Sequence, residues 1–177
     1  MPGRITPFSF SRGLGWGLIG GLAGTMIMDL VLMGALSAVG LPALTCFSIV
    51  GNTVACLFSM QSMETASVIQ LGVITHYLVG PLFGGIFGTL VTRVEALRVY
   101  TLKKSIILAI IYIEILSQPI LATAPILLKM TVPAMLQWYG GSFIMHLIMA
   151  VVLGSVVSYG LRLTPAGNRS NRGTSPD

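Results

Sequence analysis

Residues 68–92, VIQLGVITHYLVGPLFGGIFGTLVT, decide the fold. The stretch is 25 residues long and holds no Asp, Glu, Lys or Arg, enough for one crossing of a bilayer. Gly72, His76, Gly80, Gly84 and Gly88 recur at every fourth position, which on a helix places them in one slowly drifting stripe. Small residues so spaced let a second helix backbone come close, the packing that lipid-embedded helices use. His76 lies in that stripe and is therefore expected to face protein.

Working outward, the whole chain has the composition of a lipid-embedded protein. Of its 177 residues 54% are hydrophobic and 8% charged, and the mean hydropathy is +0.90, outside the range of soluble domains. Three further apolar runs, at 14–37, 105–127 and 140–161, predict a four-helix transmembrane bundle in a single domain, 1–163,. The polar residues 164–177 read as a disordered tail. The 14–37 run is longer than the ~7–15 residues of a signal-peptide core and contains Asp29, so it reads as a retained first helix. In it Gly17, Gly20, Gly21 and Gly24 are expected to pack on one side, while Gly21, Thr25, Asp29 and Met33 carry the carboxylate inward,.

Residues 41–58 are uncharged but dense in polar groups, among them Thr45, Ser48, Asn52 and Thr53. Charge parity reads this segment as re-entrant or interfacial. If it does not cross, nine of the ten basic residues fall on one side and only Lys129 on the other, which the positive-inside rule makes cytoplasmic. Both termini then lie in the cytoplasm, and the net charge of +5 needs no nucleic acid to explain it. Cys46 and Cys56 stand ten apart in this apolar segment, a spacing of neither zinc sites nor disulfide frameworks. Trp138 and Tyr139, just ahead of the fourth run, suit the headgroup level.

The second and fourth runs align without gaps: His76 falls on His146, Gly80 on Ala150 and Gly84 on Gly154, and the first and third align more loosely with Asp29 on Glu114. The chain then reads as a parallel internal repeat, each half an acid-bearing helix followed by a histidine-bearing one. At ~1.5 Å per residue, Asp29 and His76 lie ~12 Å below the outer ends of their spans, His146 ~9 Å, Gln118 ~13 Å and Glu114 ~20 Å. Ionisable groups at such depth cost ~2.5–3.5 kcal/mol and turn to partners inside the bundle. Asp29, His76, Glu114, Gln118 and His146 are thus the expected intramembrane polar cluster. Gly72, Gly80, Gly84, Gly88, Ala150 and Gly154 are the expected packing residues.

Several chemistries remain open for that cluster. Asp29 bonded to His76, or Glu114 to His146, would order the helices; a chain of them would pass protons. His76 and His146 could also hold a metal or haem, although no Glu-x-x-His or comparable ligand spacing supports it. No nucleophile motif, phosphate loop or dinucleotide fingerprint occurs,. The favoured reading is a non-catalytic membrane protein without a cofactor, packing against other membrane subunits or against itself. A small transporter or proton-linked conductor, and a redox subunit, are the alternatives.

At GVITHYLVGPLFGGIFG, residues 72–88, and QWYGGSFIMHLIM, residues 137–149, the chain resembles the YagU-like family of small multi-spanning inner-membrane proteins. The resemblance covers about residues 72–154 and rests on the two intramembrane histidines, each with a small residue four positions earlier, and on the Trp-Tyr pair before the last span. It implies a cytoplasmic-membrane location and no established catalytic activity. The first half, with Asp29, falls outside that pattern.

Overall fold

The computed structural model describes residues 10–60, 63–99 and 101–163; the segment 164–177, read as a tail, lies outside the described residues. Among the described residues five helices follow one another: α1 (Phe10–Ala38), α2 (Thr45–Leu57), α3 (Thr65–Arg93), α4 (Leu102–Leu127) and α5 (Val132–Leu163), with a 3-10 turn at Glu95–Leu97. Four of them, all but α2, are long and apolar enough to cross a membrane. The chain is an all-α integral membrane protein, as its composition requires.

The outer surface shows which solvent it meets. Ile74, Leu78, Leu82 and Ile86 of α3 are exposed, two residues out of phase with the glycine stripe and so on the opposite face of the helix. Ile107, Ile111 and Ile115 do the same on α4, as do Leu18, Leu22 and Met26 on α1. Exposed apolar surface on this scale belongs in lipid. Hydroxyls in the helices turn back on their own backbones: Thr25 donates to the Gly21 carbonyl at 2.9 Å, Thr75 to Leu71 at 2.8 Å and Ser155 to Val151 at 2.7 Å. Where water is absent, such bonds keep polar side chains satisfied.

Glycine sets the close approaches. Gly13, Gly17 and Gly21 of α1 meet Gly88, Gly84 and Gly80 of α3 in antiparallel register, and a Cβ added at Gly17, Gly84 or Gly88 would strike backbone of the opposite helix. Gly20 and Gly24 serve a different neighbour, facing Leu153 and Met149 of α5. The four glycines expected on one side of α1 therefore divide between two partners. At 3.6 residues per turn, positions 17 and 21 share a meridian that 20 and 24 do not, so α1 is held between α3 and α5. Helix α4 docks antiparallel on α5, where Gly154 lies against Ser105 and Ile106 and the Ser105 hydroxyl donates to the Gly154 carbonyl at 2.7 Å. Between α3 and α4 the filling is aromatic: Phe87 and Tyr112 rings stand 5.4 Å apart, and Tyr112 donates to the Phe83 carbonyl at 3.0 Å.

The basic side chains Arg12, Arg93, Arg98, Lys103, Lys104 and Arg162 gather at the end of the bundle where α1 and α4 begin and α3 and α5 finish; Lys129 is at the other end. At that other end α1, α2 and α4 stop in the same way. Leu41, Met60 and Met130 donate to carbonyls five residues back, with Gly40, Ser59 and Lys129 at positive φ of 75°, 58° and 48°, the Schellman closure.

Helix α2 runs antiparallel to α3, with the Phe47 carbonyl against Gly72 and Gly51 against the Val68 carbonyl. It begins beside His76, eleven residues inside α3, and climbs toward the start of α3. The register of α1 on α3 puts Ala38 level with that same start. The 39–44 connection therefore turns inward by about 13 Å before α2 climbs back, a distance within reach of six residues.

Two further features differ from the sequence expectation. Helix α5 begins at Val132, not near residue 140, because Pro133 sits in the first turn, where its missing N–H costs nothing. Trp138 is consequently inside the helix and turned inward, where its indole N–H donates to the Leu121 carbonyl at 3.0 Å. That carbonyl lacks its helical donor because Pro125 stands four residues later,.

Candidate functional site

Asp29 and His76 are brought together by the glycine register. Gly17 opposite Gly84 and Gly21 opposite Gly80 place Thr25 level with His76 and Asp29 one turn beyond it. Helical side chains lean toward their own N-termini. On antiparallel helices the two lean toward each other, and the offset of one turn closes. Nδ1 of His76 lies 3.2 Å from Oδ1 of Asp29, the imidazole N–H donating to the carboxylate. Asp29 is 2% exposed and the His76 side chain 19%.

Helix α2 completes the surroundings. The ring of Phe47 meets His76 edge-on with centroids 5.4 Å apart, and the Cys46 thiol faces the same imidazole. Tyr77, adjacent in the chain, faces Asp29. Both α2 residues follow the 39–44 turn, so the inward excursion of the chain is what delivers them. Spacing alone assigns Cys46 to no zinc site or disulfide and gives Phe47 no role. The missing signal was the close approach of Gly51 to Val68 and of Gly72 to Phe47, which is visible only once the two helices are paired.

The other expected members are divided. His146 is half-buried on α5. Its Nδ1 is buried without a hydrogen-bond partner among the described residues, as is Oδ2 of Asp29. Glu114 does not bond to His146. Its Oε2 accepts from Nε2 of Gln118 on its own helix at 3.5 Å, Oε1 is buried without a partner, and Gln118 is exposed. The depths also shift. The Ser105–Gly154 and Leu121–Trp138 bonds set α4 against α5 so that Glu114 and His146 share one level. With α5 starting at Val132, both lie about 20 Å from the ends of their helices, where the sequence had separated them by about half that.

Among the described residues no three of His, Cys, Asp and Glu come together in a group that could hold a metal ion. The residues of the expected packing set all lie at close approaches or in the core: Gly72 on Phe47, Gly80 on Thr25, Gly84 on Gly17, Gly88 on Gly13, Gly154 on Ile106, and Ala150 fully buried. The α1–α3 and α4–α5 pairs also share a register. Gly84 rests on Gly21 and Gly154 on Ile106, and these pairs are equivalent when Asp29 is set on Glu114 and His76 on His146. No family model, curated protein or solved structure matches the chain.

Proposed function

We propose that this protein is a non-catalytic component of a membrane assembly, in which the Asp29–His76 pair locks α1, α2 and α3 into one unit. One observation carries this reading: the carboxylate is buried at 2% exposure and its hydrogen bond is spent on His76, inside a seam where glycines leave no room for solvent. Buried acid–imidazole pairs of this kind orient helices. Reconstituted in liposomes, the protein should add no proton flux over empty vesicles, and Asp29→Asn should lower its unfolding temperature in detergent. Flux that disappears in Asp29→Asn would overturn the reading.

A second reading, a proton-linked conductor, draws on the unpartnered atoms. Among the described residues Oδ2 of Asp29 and Nδ1 of His146 are buried without a hydrogen-bond partner, and such atoms are what a relay would use. Its signature is flux abolished by both Asp29→Asn and His146→Ala. For topology we propose a cytoplasmic-membrane protein with both termini in the cytoplasm and α2 as a re-entrant segment, as the basic end of the bundle and the resemblance to YagU-like proteins suggest. Labelling of Lys129→Cys by an impermeant thiol reagent from outside the cell supports it; labelling of Lys103→Cys instead would reverse it.

A further inference from the structure

We propose that a second copy of this chain docks on α4 along the stripe Ile107, Ile111, Glu114 and Gln118. These positions are spaced four, three and four residues apart, the interval of a helix–helix seam. Among the described residues no helix covers Ile107, Ile111 or Gln118, and Glu114 between them is half-buried. Ile107 and Ile111 are exposed, Ile115 beside them is 68% exposed, and Gln118 is exposed with them.

A carboxamide in that position is the anomaly. Gln118 stands nine residues inside the end of α4, about 13 Å down a helix whose neighbouring surface is isoleucine. Its one hydrogen bond is the 3.5 Å contact to Glu114, at the limit for such a bond,. The amide oxygen and the second N–H are left for something outside the monomer. Hydrocarbon cannot satisfy them, and an uncompensated amide there is costly. Every other polar side chain along the crossing helices for which a bond is described finds a carbonyl or a partner at 3.3 Å or less.

A carboxamide is its own complement, since each carries a donor and an acceptor. Two copies of α4 related by a two-fold axis through this stripe would give each Gln118 the other's oxygen and N–H, the self-matching contact that such an axis demands. A polar residue within an apolar seam also sets register and oligomer number. Such a dimer deepens the reading of the chain as an assembly component and rests on it. It is tested by oligomeric state, whereas that reading is tested by flux, so either can fail alone.

The experiment measures the mass of the full chain in mild detergent and in lipid nanodiscs by light scattering, with cysteine cross-linking in native membranes. A dimer is expected, with Ile111→Cys cross-linking above the parental level and Ile86→Cys on α3 not doing so. Gln118→Leu should weaken the dimer tenfold or more, while Gln118→Asn, which keeps the amide, retains it and guards against a folding defect. A monomeric parent chain overturns the proposal. So does a dimer indifferent to Gln118→Leu, or cross-linking at Ile86 equal to that at Ile111. Gln118-dependent capture of a different membrane protein by a monomeric chain overturns it as well.

Discussion

The α1–α3 pair and the α4–α5 pair are built to the same register but closed by different means. In the first, glycines stand on both helices: Gly17 and Gly21 face Gly84 and Gly80. In the second, the positions equivalent to Gly17 and Gly21 are Leu102 and Ile106, while α4 buries Ser105 and Ala109 instead and α5 keeps small residues at Ala150, Gly154 and Ser158. The acid meets its histidine in the first pair and not in the second, although Glu has the longer reach. Equal level is therefore insufficient. Asp29 follows Gly17, Gly21 and Thr25 on the buried face of α1, whereas Glu114 stands one residue past the buried stripe of Ser105, Ala109, Ile113 and Ser117 on α4, about 100° round the helix,.

The largest test of this difference removes the acids in turn. Asp29→Ala strands a buried imidazole against Phe47 and should cost about 3 kcal/mol in a denaturant titration in detergent. Glu114→Ala should cost clearly less, because its carboxylate has only Gln118 beside it. Equal losses would mean that the halves are energetically alike and that the hydrogen bond adds little.

The seam itself comes next. Gly21→Leu places a side chain where the Gly80 carbonyl and Pro81 stand and should destabilise by about 1–3 kcal/mol or more. The same change at Gly34, on the same helix with nothing near its Cβ position, should leave the unfolding midpoint almost unmoved. Loss at Gly34 comparable to that at Gly21 would place the effect in helix propensity and take it away from packing.

The smallest expected effect sharpens the α4–α5 side, which has little glycine and relies on directed hydrogen bonds. Trp138→Phe should cost about 1 kcal/mol by leaving the Leu121 carbonyl without a donor,. In a Pro125→Ala background the backbone N–H of residue 125 returns to that carbonyl. There the tryptophan change should cost measurably less, and full additivity in this double-mutant cycle would show that the indole acts through packing alone.

Much of the architecture was legible beforehand because lipid simplifies the problem. With no water in the hydrocarbon, long uncharged runs have to be helices, and the 72–88 spacing already named the buried face of α3 on which Gly80, Gly84 and Gly88 lie. The direction of Asp29 and His76 toward protein was readable for the same reason. Less readable is the start of α5, because Pro133 suits a loop as well as a first helical turn. The role of Trp138 was hidden with it.

Residue order alone determined that this chain is a helical membrane protein with four crossings, which faces of its helices are smooth, and which few side chains cannot face lipid, since those properties follow from local composition and the 3.6-residue period. Tertiary structure decided which smooth face meets which neighbour: Gly17 and Gly21 to α3, Gly20 and Gly24 to α5. It also decided that Asp29 closes on His76 while Glu114 turns to Gln118, and that α2 returns to lay Cys46 and Phe47 against the imidazole. The physical reason is that a helix of given sequence presents several faces of similar quality, and only the simultaneous packing of all of them selects one pairing, with the sub-turn offset that brings two side chains into hydrogen-bond reach.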